Sequence, residues 1–292
     1  MVLDSMKEIF DAMEAQDLPF WEVVLQADME DRQVTRQQSM AKMLRTWQAM
    51  EEAANNYSGA RRSVSGLVGG DGRKMRQYSF RRNAMSGGYV SEVIAEALSM
   101  AESNACMCRI VAAPTGGACG VLPAVLLPLC KHEELTQHQI LEALYVASGI
   151  GAVIAYKACI AGAAGGCQAE IGTASAMGAA ALCYLAGGSA DAVCHAAAIA
   201  IKSLLGLVCD PIAGLVEVPC VKRNAAGAAI AMTSADIALA GVRSAVPPDE
   251  VIMAMKEVGD KMDVSLRETG LGGIAATPFA QKISEKMSET KA

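Results

Sequence analysis

Apolar residues recur at intervals of three and four along most of the chain, the spacing of one helical face, so the pattern predicts helices nearly from end to end. Met6, Ile9, Phe10 and Met13 line one such face. Ser5 and Glu8 stand ahead of them at the spacing of a capping box, in which serine and glutamate satisfy free amides at a helix start. Pro19 suits a helical first turn, so a second helix is expected over residues 21–29. Met40, Met43, Leu44, Trp47 and Met50 form a third stripe, read as core packing rather than as a cofactor contact. Residues 57–88 break the rhythm. Glycine and serine crowd 63–72 and 86–88, which predicts an irregular loop region with a functional character. Helical spacing resumes over 92–102.

From residue 104 to 224 charge thins out and alanine and glycine dominate. Alanine-rich stretches favour helix. They are cut at Gly165 and Gly166, at Gly187 and Gly188, at Gly206, and at Pro211 and Pro219. No run alternates like a half-buried strand, so a large sheet is not expected. Pro247, Pro248 and Asp249 open a further helix to about Met262, a glycine-rich turn follows at 270–273, and the polar tail from Gln281 is expected to fray. The fold class is therefore all-α: an Ala/Gly-rich helical bundle in one domain over 1–292. Within it, 1–60 form N-terminal helices, 61–280 the core and 281–292 the tail.

Composition sharpens this picture. Hydrophobic residues make up 52% of the chain but aromatics only 4%, so small side chains must do the packing and backbones must approach closely. The net charge of −6 disfavours a nucleic-acid partner, which calls for a basic surface. Basic residues cluster once, at Arg61, Arg62, Arg73, Lys74, Arg76, Arg81 and Arg82, read as a solvated loop ahead of an anion or partner site. The first residues carry no secretory signal pattern. Two uncharged stretches, 110–130 and 171–190, approach membrane-spanning length. The first holds three prolines and the second little Leu, Ile or Phe, so both read as buried core and no membrane is expected. Ten cysteines without an export signal argue for a reducing, cytoplasmic setting, where thiols are buried hydrophobes or metal ligands.

Three cysteines differ from the rest by position. Cys167 follows Gly165 and Gly166 and opens a helix, Cys209 precedes Asp210 and Pro211, and Cys220 follows Pro219 where the next helix begins. Cys183 and Cys194 instead lie inside alanine runs. Turns let a thiolate point into a cavity, and helix N-termini favour a negatively charged group there. The spacing, Cys-x41-Cys-x10-Cys, lacks the tight Cys-x2-Cys pair of most zinc and cluster sites, and Cys106-Met-Cys108 is one residue too short. Spacing alone leaves a metal site and buried core thiols both open.

Six motifs carry a resemblance. They are Ala-Glu-Ser-Asn-Ala at 101–105, Ala-Pro-Thr-Gly-Gly-Ala-Cys-Gly-Val-Leu-Pro-Ala at 113–124, Gly-Gly-Cys-Gln-Ala-Glu at 165–170, Gly-Leu-Val-Cys-Asp-Pro at 206–211, Val-Pro-Cys-Val-Lys-Arg-Asn at 218–224 and Leu-Gly-Gly-Ile-Ala-Ala-Thr-Pro at 271–278. Over about residues 63–278 the chain resembles the alpha subunit of the iron–sulfur-dependent bacterial L-serine dehydratases. That resemblance implies a 4Fe–4S cluster held by Cys167, Cys209 and Cys220, making 61–280 a cluster-binding core. It implies one iron without a protein thiolate, L-serine as substrate, and pyruvate and ammonia as products. It also implies a beta subunit as partner, since this chain has no Ser-Ser-Ser-His run to complete the site. Two departures stand out: Cys108 occupies a position where glycine is expected, and no cysteine follows Cys220 to reach the cluster from within the chain.

Other polar residues carry two readings each. Asn104 and Thr115 lie in family motifs near glycine turns, where they bind a substrate carboxylate or satisfy buried backbone. Glu170 is either a helix-dipole carboxylate or a group supporting the ligands. Cys119 reads as small core, Asp210 as a turn former, His195 as a satisfied core histidine, and His132 and His138 as solvated. No general base is identifiable. Against this enzyme stand a pyridoxal-phosphate dehydratase, for which Lys157 and Lys202 are available but strands are missing, a cluster-dependent cysteine desulfidase, and a non-enzymatic cluster protein.

Overall fold

The computed structural model describes residues 3–81 and 84–289. Among them the chain is all-α, as the periodicity predicts, with no strand and a single isolated bridge between Cys209 and Arg267. Thirteen α-helices follow in order: α1 (Met6–Gln16), α2 (Phe20–Arg32), α3 (Arg36–Asn55), α4 (Asp71–Ser79), α5 (Gly87–Ala105), α6 (Val121–His132), α7 (Gln137–Lys157), α8 (Gly162–Gly165), α9 (Thr173–Leu185), α10 (Ala190–Leu204), α11 (Cys220–Leu239), α12 (Pro248–Lys261) and α13 (Pro278–Glu289). A π-helical turn, Gln168–Gly172, runs directly into α9.

Helix α9 is the centre. Every residue from Thr173 to Cys183 is buried, and α6, α7, α10 and α11 pack around it. Most of its buried residues are alanine, glycine and serine, and such small side chains let several helices meet one another at short range. The stretches 110–130 and 171–190 supply this core, as their composition suggests. Helix α7 is long and apolar enough to cross a membrane by length and composition, and 67% of its most apolar window is buried inside the fold. The N-terminal stripe is also core: Trp47 and Met50 are buried, and Met40, Met43 and Leu44 pack against the same cluster.

Four local expectations need correction. Ser5 does accept from the Glu8 amide, but Glu8 returns its carboxylate to the amide of Asp4, one residue earlier than a full capping box requires. Residues 57–88 are not irregular throughout, because α4 lies inside them and α5 begins at Gly87. The glycine that suggested a loop there, Gly72, serves close approach: a Cβ on it would stand 2.9 Å from the Cα of Ser99 on α5. The tail from Gln281 is helical through Glu289, since Ala280 is fully buried and Thr277 Oγ1 accepts from its amide. Residues 290–292 of that tail, and Arg82 of the basic cluster, lie outside the described residues. Finally, Cys167 opens a π-helical turn before its α-helix, a register change that local periodicity does not announce.

Gly72→Ala is expected to destabilise the chain by about 1–3 kcal/mol, because the neighbour it would meet is backbone and cannot rotate away. Urea unfolding would show a lower midpoint at unchanged slope. An unchanged midpoint would mean that α4 and α5 can separate freely.

Candidate active site

Each of the three singled-out cysteines sits where a helix or turn begins, and each is pinned by its neighbours. Cys167 precedes the π-helical turn. The next residue, Gln168, donates its backbone amide to Leu207 O and its side-chain amide to Met255 O, and accepts from the Gly206 amide. One buried glutamine thus ties the Cys167 segment to the loop leading into Cys209. Cys209 donates its amide to Leu266 O at 2.8 Å and accepts from the Glu268 amide at 2.6 Å. Cys220, following a cis Val218–Pro219 peptide, is the first residue of α11.

Two residues of the Lys-Arg-Asn run hold these segments together. Arg223 donates to Val208 O at 2.7 Å and to Asp210 Oδ1 at 2.8 Å, and the other Asp210 oxygen accepts from the Ile274 amide at 2.7 Å. Asp210 is 4% exposed and Arg223 15%, so this is a nearly buried ion pair joining the Cys209 turn, α11 and the glycine-rich turn at 270–273. Asn224 accepts from the Gly120 amide and donates to Gly117 O and Cys220 O, which fixes the 116–120 turn to the start of α11. Sequence reasoning quoted both residues within a motif but gave neither a role. Apart from Cys220 O, four positions back, their partners lie 13 to 107 positions away, so no local pattern reveals them.

The three thiols are all buried and lie within electrostatic reach of one another. Burial pushes Cys167 up to about 11, against the pull of the nearby Arg223 guanidinium. Burial and then the Cys167 sulfur raise Cys220 to about 12, and the same two causes raise Cys209 further. Three such thiols have no reason to ionise unless a cation takes their charge, and a coordinated thiol is deprotonated by its metal.

Glu170 completes the cluster of groups. It accepts a hydrogen bond from the Thr115 hydroxyl at 2.7 Å, and a Cβ placed on Gly162 would stand 2.8 Å from both Glu170 Oε2 and Cys209 Sγ. Glycine at 162 therefore clears the space between the carboxylate and the thiol. Burial raises the Glu170 carboxyl above its ordinary value, the Thr115 hydrogen bond opposes this, and Glu268 adds to it. Of the two candidate substrate residues, Thr115 faces Glu170, whereas the Asn104 side chain donates to Gly116 O at 2.9 Å and braces the turn beside Thr115. Cys183 lies in α9, and Cys119, buried with its thiol toward Met100 O, is core. His195 accepts from the Ser244 amide and meets Asp191. His132 and His138 are more than half exposed beside Glu92 and Glu142.

Among the described residues, no group of three or more His, Cys, Asp or Glu side chains is arranged to hold a single metal ion. A 4Fe–4S cluster makes a different demand, because each thiolate ligates its own iron and the donors stand apart around the cube. The chemistry of the donor set suits such a group. It offers three soft thiols, two of them at helix starts, with a guanidinium alongside.

The fold and this site together define a class: an all-α protein whose motifs bring three buried thiols and a carboxylate to one place. Residues 15–275 match the family model described as serine dehydratase alpha chain. The probable L-serine dehydratase alpha chain of Bacillus subtilis is 42% identical over 97% of this chain and 94% of its own length. The L-serine dehydratase alpha chain of Peptoniphilus asaccharolyticus is 41% identical over 97% of each. L-serine dehydratase 2 of Escherichia coli is 46% identical over 61% of this chain, a match that spans 40% of its own length. The chain belongs to the serine dehydratase alpha chain family.

Proposed function

We propose that this chain is the cluster-bearing subunit of an L-serine dehydratase, eliminating water from L-serine and releasing pyruvate and ammonia after hydrolysis. The observation that carries this reading is the placement of Cys167, Cys209 and Cys220, three buried thiols within reach of one another beside Glu170 and Thr115. The names of the relatives at 41–42% identity support the substrate. These thiols would hold a 4Fe–4S cluster. When bound, such a cluster, with one iron lacking a protein thiolate, supplies a Lewis acid that makes hydroxide a better leaving group.

The chain's own residues do the rest of the positioning. Glu170 offers a carboxylate to the substrate ammonium group, and the Thr115 hydroxyl fixes the orientation of that carboxylate. Asn104 and Asn224 hold the 116–120 turn, so Thr115 stands on a braced backbone. Burial of Asn224 and of the three thiols keeps water from that side of the site and strengthens the polar contacts there.

A beta subunit would complete the site. Three large apolar side chains on the segment ahead of α5 lie open to solvent: Val64 at 67%, Phe80 at 85% and Met85 at 99%. Isolated apolar residues on a surface need no explanation, but three on one 63–88 segment suit a docking face. The reading is tested by reconstituting the chain anaerobically with iron and sulfide and measuring serine-dependent pyruvate with and without the beta chain. Activity is expected only with both chains, and Phe80→Asp should weaken their association without altering the cluster absorbance. Full turnover by the isolated, cluster-loaded chain would remove the partner. No pyruvate under either condition, with the cluster spectroscopically intact, would remove the dehydratase.

A further inference from the structure

At the end of α5, away from the three cluster thiols, the chain makes a tight turn. The Cys106 amide returns to Glu102 O, the Met107 amide to Asn104 O and the Cys108 amide to Ser103 O, with Met107 left-handed at φ 61°. The turn brings the Cys108 thiol to 3.8 Å from the Cys106 carbonyl and leaves both cysteines half-buried around an 83% exposed Met107. Both thiols line a narrow cleft with Tyr57, Arg61 and Glu102. On its outer side, Cys108 and Arg61 also line a second cleft of about 310 Å³ with Asn56 and Arg109. Within these clefts Arg61 Nη1 donates to Cys108 Sγ at 2.6 Å.

We propose that Cys106 and Cys108 form a reversible dithiol–disulfide site, with Cys108 as the attacking thiol, Cys106 as the resolving thiol, and a low-molecular-weight, carboxylate-bearing disulfide as co-reactant. A guanidinium donating to a sulfur stabilises negative charge on it as it attacks or leaves, and the same Arg61 guanidinium suits an anionic reagent in the outer cleft, where Arg109 is held by Glu52. Cys106 is the later-reacting partner, since burial first and the adjacent Cys108 sulfur next hold its thiol above the ordinary value. In the first step the Cys108 thiolate attacks the reagent disulfide, a Cys108–S–S–R bond forms, and one R–S⁻ departs to be protonated. In the second, Cys106 gives its proton to solvent and attacks the Cys108 sulfur, the protein disulfide forms, and the second R–S⁻ departs. Two protein thiols are oxidised and one external disulfide is reduced to two thiols. A disulfide between residues two apart is strained and open to attack, so external thiol reverses it readily.

The site borders two supports of the proposed active centre. Asn104, which braces the Thr115 turn, lies two residues before Cys106, and Arg61 leads into Ser63 and Ser65, which donate to the buried Glu217 ahead of Cys220.

The experiment exposes the full, cluster-loaded chain to graded glutathione disulfide under anaerobic conditions, quenches by alkylation and maps each cysteine by peptide mass. Cys130 and Cys159, the two other half-buried thiols, are the internal references. The peptide spanning residues 106–108 should lose two hydrogens at a rate at least about tenfold above modification of either reference. Cys106→Ser should trap a glutathione adduct on Cys108, and Arg61→Gln should slow its formation several-fold. Modification of Cys108 no faster than Cys130 and Cys159, or no trapped adduct in Cys106→Ser, overturns the proposal.

Discussion

Replacing Cys167, Cys209 or Cys220 by serine is expected to abolish the visible cluster absorbance and to lower serine-dependent pyruvate formation by more than about 100-fold, since loss of a group merely supporting a ligand already costs 10–100-fold. The reasoning is chemical and positional. A serine hydroxyl is harder and far less acidic than a thiol, so it is a poor donor to iron held in a sulfide cube. Each of the three thiols begins a helix or a clamped turn, and burial disfavours a bare thiolate at each, so the charge of the ionised sulfur calls for a bound cation beside it. Cys183→Ser is the matched control. That thiol is equally buried, but it lies within α9 among alanines, so the cluster and activity should survive the change. Iron and acid-labile sulfide analysis on the purified variants reads the outcome directly. A Cys209→Ser chain that kept a full complement of iron would remove Cys209 from the donor set.

Asp210→Ala is expected to destabilise the apo chain by about 3–5 kcal/mol, the usual consequence of removing one member of a buried ion pair. Asp210 receives the Arg223 guanidinium on one oxygen and the Ile274 amide on the other, so its loss strands two donors in a poorly hydrated place. Arg223→Met should cost less than Arg223→Ala, because the longer apolar stem keeps part of the packing. The double variant Asp210→Ala with Arg223→Met should be more stable than the sum of the single changes implies, the mark of a direct coupling. Urea unfolding without metal separates this from any effect on cluster loading. An Asp210→Ala midpoint equal to that of the parent would mean that water reaches the pair, and that the Cys209 turn is held by Leu266 and Glu268 alone.

Much of the architecture was legible because its causes are local. The stripe from Met40 to Met50 is a matter of side chains three and four positions apart, and the same spacing in three dimensions buries Trp47 and Met50. The start of α11 at Cys220 and of α12 at Pro248 follows from proline, which ends what precedes it and tolerates a first turn. The distinction between Cys167, Cys209 and Cys220 on one side and Cys183 on the other came from the same punctuation.

Glycine marks the limit of that reading. At Gly165 and Gly166 it signals a break, and the chain does turn there, with Gly166 left-handed. At Gly72 the same letter sits inside a helix because another backbone passes too close for a side chain. Only the neighbour distinguishes the two cases, and the neighbour, Ser99, is 27 positions away in this sequence. The Cys106-Met-Cys108 run shows the same limit in chemistry. Its spacing suggested nothing beyond a missed metal motif until the fold brought Arg61 against Cys108.

The helical class, the small-residue core, the three cysteines set apart at breaks and the family motifs all rest on residue type and short-range order, and so could be read along the chain. Tertiary structure alone decided which polar side chains meet. It paired Thr115 with Glu170, Arg223 with Asp210, Asn224 with Gly117 and Gly120, and Gln168 with Met255 and Gly206. The physical reason is that a hydrogen bond depends on a few tenths of an ångström and a direction, whereas hydrophobic burial depends only on area and tolerates a wide range of arrangements. Periodicity carries the second kind of information along the chain, and the first exists only once the helices have packed.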